Sequence, residues 1–278
     1  MNKILIIACL SLLFFLSVEA RETSDLSLAK IQVVPIKDTQ SDKQYELYIK
    51  LPEGYSENEE KAYPVLYYTD ALWHVELLSG TTEFIMEDAI LVGISWQKNI
   101  DDDLKKDYGE HVSRFTDYSF WKKSNPKHPK LKFGQANNHL NFIRKDVFNY
   151  VEKNYRTDPS NRSYFGYSLS GLFGAYILVT QSDTFKNYIL GSPSVDLLTE
   201  YEIGFANKNL NANVFISNGS LETTQDEPNS EFVKLLKTIN DDSLSVEHAV
   251  IEGSHQTAFP MTGVRAVTWL ADLTTEEK

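Results

Sequence analysis

The sequence predicts an α/β protein: one mostly parallel central sheet with helices on both faces. Three observations predict it. Short apolar runs of strand length alternate with longer runs of helical period, the pattern of strand–helix–strand crossovers. Several strand runs, such as Pro64-Val65-Leu66-Tyr67-Tyr68-Thr69, are apolar at nearly every position rather than every second one. That is how strands buried on both faces read. The chain of 278 residues has no internal repeat and no Pro- or Gly-rich linker, which fits one undivided domain.

The elements follow in order. Lys3 supplies a short positive region, and residues 4–16 form an apolar run too short to span a bilayer comfortably. Val18-Glu19-Ala20 then offers small or branched residues at the −3 and −1 positions of a signal-peptidase cut. Residues 1–20 are thus read as a signal peptide, cleaved before Arg21, and 21–278 as a single domain in the periplasm or outside the cell. Ile6-Ile7-Ala8-Cys9 loosely matches a lipoprotein box, but it opens the apolar run instead of closing it. Cys9 is the one cysteine and would leave with the signal peptide, so the mature chain would have no thiol for disulfides or zinc–thiolate chemistry.

Residues 31–36 and 44–51 read as strands joined by a polar turn, and 52–62 as a charged loop. A buried strand at 64–69, a helix at 75–86 and a strand at 89–95 come next. Residues 97–135 show no sustained period and are rich in Lys, Asp and aromatics; a loop of this length is functional or mobile, and here is expected to shape a pocket. Ile143, Val147, Tyr150 and Val151 recur at helical spacing within 138–155. A strand at 162–165 leads through a turn into a helix reaching about 181. Strands at 187–190, 213–217 and 245–251 and helices at 231–239 and 260–273 complete the pattern.

The formal net charge of −12 argues against a nucleic-acid partner, since phosphate binding needs clustered Lys and Arg. Chemistry concentrates at Gly166-Tyr167-Ser168-Leu169-Ser170-Gly171. A strand enters this stretch and an apolar helix leaves it, the layout of a nucleophile elbow with Ser168 at its tip. The crowded backbone needs small residues two positions either side of the serine, and Gly166 and Ser170 supply them. Taking Ser170 as nucleophile would put Leu172 where a small residue is needed.

A serine hydroxyl needs a base within hydrogen-bond reach. Of His74, His111, His128, His139, His248 and His255, only His255 lies in a turn directly after the last strand. The acid should follow the preceding strand, where Glu222 stands, with Asp226 and Glu227 as further candidates. The developing oxyanion needs two N–H donors. One is the amide of Leu169, and the other should come from the loop Asp70-Ala71-Leu72-Trp73-His74. No His-x-x-x-His or His-Glu-x-x-His spacing occurs, so neither a metal nor another cofactor is expected. Arg114 either pairs with Asp117 or another acid, or binds an anionic group of a substrate.

Four further stretches carry a resemblance. Pro64-Val65-Leu66-Tyr67-Tyr68-Thr69-Asp70-Ala71, Leu91-Val92-Gly93-Ile94-Ser95, Arg114-Phe115-Thr116-Asp117-Tyr118-Ser119-Phe120 and Phe185-Lys186-Asn187-Tyr188-Ile189-Leu190-Gly191-Ser192-Pro193-Ser194 stand in order along the chain. They resemble signatures of the "putative esterase" family of α/β-hydrolases, which includes enterochelin and bacillibactin esterases, esterase D-like enzymes and, more distantly, mycolyltransferases. The resemblance covers residues 31–273. It implies an α/β-hydrolase fold, Ser168 as nucleophile, His255 as base, and Leu72 as the second oxyanion amide. Trp73 and Arg114 are the substrate-binding candidates. Ala71 replaces the family's usual glycine and Phe120 a proline, and in some siderophore esterases a Ser–His pair works without the acid. The expected function is a secreted or periplasmic serine esterase acting on a small carboxylic ester. A siderophore-lactone esterase and an acyltransferase are alternatives on the same fold. A non-catalytic binding protein on a hydrolase fold is the alternative of another class.

Overall fold

The computed structural model describes residues 30–276 apart from 124, 202–203, 205–209 and 240–243. The expected signal peptide and its cut before Arg21 lie outside the described residues. Among the described residues, eight strands make one sheet: β1 (Ile31–Lys37), β2 (Gln44–Lys50), β3 (Tyr63–Tyr68), β4 (Ile90–Ile94), β5 (Thr157–Tyr167), β6 (Asn187–Gly191), β7 (Ala212–Gly219) and β8 (Leu244–Ile251). Their order is β1-β2-β4-β3-β5-β6-β7-β8. Strands β3 to β8 run parallel, and β2 and β1 are added antiparallel at one edge.

Helices cover both faces. They are α1 (Ala71–Ile85), α2 (Asp102–Tyr108), α3 (Arg114–Asp117), α4 (Ala136–Phe142), α5 (Phe148–Asn154), α6 (Leu169–Thr180), α7 (Asp196–Glu200), α8 (Thr223–Thr238) and α9 (Phe259–Glu276). Val65, Tyr67, Tyr164, Tyr188 and Leu190 point to a core shared with α4, α5, α6 and α8. Their strand neighbours Leu66, Tyr68, Phe165 and Ile189 point to a second core under α1 and α9. Successive strand side chains alternate between faces, so two cores explain why these strands are apolar throughout. Helix α6 reaches β5 and β6 closely because of Gly174: a Cβ there would stand 2.5 Å from Tyr164 Cε1 and 2.6 Å from Leu190 Cδ2.

This order places the site. From β3 the chain crosses to β4 on one side, then returns to β5 on the other. The strand order therefore reverses between β3 and β5. In open α/β sheets, ligands bind in the crevice beyond the carboxyl ends of strands at such a point. Asp70 follows β3 there, and Ser168 follows β5.

Several elements differ from the sequence reading, β5 among them, which starts at Thr157, five residues early. Helix α1 starts at Ala71, four residues before the expected start, because Asp70 turns the chain with a left-handed backbone rather than a side-chain cap. The stretch 97–135 carries α2 and α3 and a small core of Leu104, Val112 and Leu131. Those three apolar anchors are too far apart in sequence to show a helical period. The expected helix 138–155 is a run of α4, a π-helical turn at Ile143–Val147, and α5. Helix α8 starts at Thr223, eight residues early, and contains Pro228. Proline lacks the N–H that an internal helical position donates, and the polar residues before it hid this first part.

Leu190 is fully buried at the centre of the sheet. Leu190→Ala should lower the unfolding free energy by about 2–5 kcal/mol, read from urea denaturation. A change under about 0.5 kcal/mol would be the size of a surface substitution and would contradict this packing.

Candidate active site

The elbow is built from backbone contact. A Cβ on Gly166 would stand 2.3 Å from Ser170 O, and one on Gly171 would stand 2.7 Å from Gly191 O. The chain between them therefore turns sharply, and Ser168 sits at φ 59, ψ −123. Such a backbone on a residue with a side chain costs of order 1–3 kcal/mol and persists only where the surroundings hold it. Here Ser168 N–H donates to Gly191 O at 2.8 Å, and Leu172 N–H donates to Ser168 O at 2.9 Å. The two serines of the motif differ. Ser170 is fully buried, and its Oγ accepts from Tyr167 N–H at 2.9 Å and donates to Tyr167 O at 2.8 Å. Its hydroxyl is committed to the turn, whereas Ser168 is half-buried at the tip.

His255 lies in the turn between β8 and α9, closed by Ala258 N–H donating to Ser254 O at 2.9 Å. Its Nδ1 is 3.0 Å from Glu222 Oε2. Glu222 precedes α8, and its side chain is only 7% exposed. The other oxygen, Oε1, accepts from Gly219 N–H at 2.9 Å and from the Ser192 hydroxyl at 2.8 Å. A carboxylate at Nδ1 selects the tautomer with hydrogen there, which leaves the lone pair of the neutral ring on Nε2. The turns after β7 and β8 are laced together: Ser220 N–H donates to Ile251 O at 2.7 Å and Leu221 N–H to Gly253 O at 3.0 Å. Tyr167, the residue before Ser168, donates its phenol hydrogen to His255 O at 2.7 Å. Of the other candidate acids, Asp226 meets Asn218 Nδ2 at 3.4 Å, and Glu227 is exposed. His248 lies in β8 with Nε2 2.7 Å from Asn218 Oδ1.

The loop after β3 forms the other wall. Asp70 is buried with a left-handed backbone at φ 54, ψ 43. Its carboxylate accepts a fork from Arg114, Nε at 3.1 Å and Nη2 at 2.9 Å, and a third bond from Trp96 Nε1 at 2.7 Å. Burial would push the Asp70 carboxyl up; the Arg114 guanidinium beside it outweighs that and holds it below its ordinary value. Asp117, the other candidate partner of Arg114, instead takes Lys43 Nζ at 2.6 Å and Tyr45 Oη at 2.9 Å. Leu72 and Leu169 both lie in the first turn of a helix, where backbone N–H groups have no intrahelical acceptor.

Trp73 is about half exposed, and Arg114 Cζ lies 4.9 Å from its ring. Trp96 and His111 stand 4.8 Å and 5.1 Å from the same ring. Burial and Arg114 together lower the His111 pKa. His74 is set apart from this wall: its Nδ1 is 2.8 Å from Thr69 O, and burial lowers its pKa to about 4. Sequence reasoning missed Tyr167, Ser192, Trp96 and His111. Ser192 stood in a recognised stretch, Gly191-Ser192-Pro193, but nothing in sequence brings it to Glu222. Among the described residues, no cluster of His, Cys, Asp or Glu could hold a metal ion, and no helix is long and apolar enough to cross a membrane.

The chain is 27% identical over 147 residues to the ferri-bacillibactin esterase BesA of Bacillus subtilis (strain 168), covering 48% of this chain and 51% of that protein. The match thus spans about half the length of that curated relative. Among solved structures, the BES protein from Bacillus cereus superposes with a TM-score of 0.75 at 22% identity, covering 90% of this chain and 98% of that one. An IroE-like serine hydrolase from Shewanella oneidensis gives a TM-score of 0.69 at 20% identity, covering 87% of this chain and 80% of that one. At these identities the superpositions speak for the fold, an α/β-hydrolase sheet with its flanking helices. The family model described as "Putative esterase" matches residues 39–250, most of the chain, and the protein therefore belongs to the esterase family of α/β-hydrolases.

Proposed function

We propose that the protein is a serine esterase that cleaves a small carboxylic ester through an acyl-enzyme on Ser168. The observation that carries this reading is the 3.0 Å contact between His255 Nδ1 and Glu222 Oε2, tied by Tyr167 to the strand that ends in the strained Ser168. In this mechanism His255 Nε2 takes the Ser168 proton as Oγ bonds to the ester carbonyl carbon. The carbonyl oxygen becomes an oxyanion facing the N–H groups of Leu169 and Leu72. The C–O bond to the alcohol then breaks, and His255 returns the proton to the leaving oxygen. Water repeats the sequence: His255 removes its proton, its oxygen attacks the acyl carbon, and Ser168 leaves with the proton restored. Glu222 holds the imidazole in register and stabilises the imidazolium in both halves. The oxyanion loop is held by Asp70, whose fork with Arg114 fixes the turn that opens α1.

A siderophore lactone is the substrate reading that a specific observation favours. Trp73, Trp96 and His111 form an aromatic wall beside Arg114, and Arg114 spends Nε and Nη2 on Asp70, leaving Nη1 outside the fork. Such a wall suits a planar, electron-rich acyl group with anionic oxygens. BesA, which by its name acts on ferri-bacillibactin, supports the same substrate class. The positive, apolar and small-residue pattern of residues 1–20 supports export and cleavage before Arg21.

Ser168→Ala should abolish ester hydrolysis and fluorophosphonate labelling while the circular dichroism spectrum is kept. Labelling that survives in Ser168→Ala would place the nucleophile on another serine, and a wild type that is never labelled would favour the non-catalytic alternative. Ser170→Ala should keep the labelling site but loosen the elbow.

His255→Ala should slow acylation by several orders of magnitude, as for members of such triads elsewhere. Glu222→Gln keeps the size and removes the charge, and should lower turnover by at least about tenfold, less than His255→Ala. Turnover unchanged in Glu222→Gln would mean that Ser168 and His255 work as a pair.

Mass spectrometry of the protein from its natural source should find Arg21 at the N-terminus. An acylated Cys9 terminus would show lipoprotein processing instead.

A further inference from the structure

Ser192 follows β6 with φ 42 and is 1% exposed. A buried side chain on a positive-φ residue is a place where backbone strain is kept for a purpose. Glycine would adopt this backbone freely. The contacts around Ser192 show what the side chain does. Its N–H donates to Ser217 O at 2.7 Å, which anchors the turn to β7. The carbonyl of its neighbour Gly191 accepts from Ser168 N–H at 2.8 Å. Its hydroxyl oxygen is 2.8 Å from Glu222 Oε1 and 3.0 Å from Tyr167 Oη. Tyr167 Oη is in turn 2.7 Å from His255 O. One two-residue turn thus reaches the backbone of Ser168 and the carboxylate of Glu222, with the Tyr167 hydroxyl in contact beside it.

Counting protons decides the direction of these bonds. Ser192 and Tyr167 each have one hydroxyl hydrogen. The carbonyl of His255 can only accept, so the 2.7 Å contact takes the Tyr167 hydrogen. A carboxylate oxygen can only accept as well, so the 2.8 Å contact takes the Ser192 hydrogen. Were Ser192 to donate to Tyr167 instead, a hydroxyl lone pair would face the Glu222 anion at that distance. With this assignment Glu222 Oε1 has two donors, Gly219 N–H and Ser192 O–H, and Oε2 is left for His255.

We propose that Ser192 is a positioning residue for the reaction: its hydroxyl orients the Glu222 carboxylate so that Oε2 faces His255 Nδ1. It touches no reacting atom and acts only through Glu222. This assignment rests on the proposed serine esterase mechanism.

Two substitutions separate the hydroxyl from the strain. Ser192→Gly removes the hydroxyl and relieves the backbone; Ser192→Ala removes the hydroxyl and keeps the Cβ. Both should lower kcat on a chromogenic ester about tenfold with KM within about twofold, the size of one hydrogen bond to a charged group. The melting temperature of Ser192→Gly should be unchanged or higher. In a Glu222→Ala background, Ser192→Gly should cost less than about twofold more, because the group it acts through is gone. Wild-type kcat in Ser192→Gly would overturn the role, as would a loss confined to Ser192→Ala, which would assign the effect to strain. An equal loss with and without Glu222 would also overturn it, since the effect would then not run through the acid. The same series includes Ser168→Ala with fluorophosphonate labelling. If Ser168→Ala stays active, the serine mechanism itself fails and this role with it; if Ser168→Ala is dead and Ser192→Gly is fully active, only the role of Ser192 fails.

Discussion

Everything at the site depends on how closely α6 lies on the ends of β5 and β6. Gly166 faces the Ser170 carbonyl and Gly171 faces the Gly191 carbonyl, with no side chain between them. That approach forces the chain through a tight turn and leaves Ser168 its strained backbone. The strain is of order 1–3 kcal/mol. Leu172, Phe173 and Ile177 on the same helix are fully buried, and each contributes about 1.5–3 kcal/mol when removed from water. The packing of α6 therefore outweighs the distortion at its first turn. Tyr164 adds a peg from below, its phenol donating to Ser170 O at 2.8 Å.

The site contains two buried carboxylates, handled in opposite ways. Asp70 faces a fixed cation, Arg114, and an indole N–H. Removing either partner from such a buried pair leaves an uncompensated charge, so the pair locks the loop in one geometry. Glu222 faces two neutral donors and an imidazole. Neutral donors hold the carboxylate in place without cancelling its charge. In the proposed mechanism that charge is reserved for the imidazolium formed as His255 takes a proton. In that mechanism the same functional group serves as scaffold beside β3 and as reactive partner beside β7, and the difference lies in what each carboxylate faces.

Much of the fold was legible in the sequence, for stated physical reasons. Strands buried on both faces leave uninterrupted apolar runs, so β3, β4 and β6 were found within a residue or two. The Gly166-x-Ser168 spacing announced the elbow because the contact it creates is local. The turn after β8 announced His255 through its place in chain order. What stayed hidden was long-range or masked by composition. Ser192 meets Glu222 across 30 positions, and Tyr167 meets His255 across 88; no local pattern reports either contact. Arg114 was open between Asp117 and another acid because its actual partner, Asp70, is 44 residues away. The first turns of α8 were concealed by Pro228 and a polar run, and α2 and α3 by their brevity.

The wiring of the site also bears on when it comes into being. Its parts arrive in chain order from the ends of β3, β5, β6, β7 and β8. The proposed base, His255, comes from the turn after β8, an edge strand and, among the described residues, the last strand to be synthesised. Glu222 cannot meet its imidazole until β8 has paired along β7, and the tether from Tyr167 must close a loop of nearly a third of the chain. Contacts this distant in sequence are among the slowest to form in a folding domain. A chain that stops before β8 lacks the His255–Glu222 pair. In the proposed mechanism, hydrolytic capacity therefore comes only with the last described strand and the turn after it, which act as a completion signal.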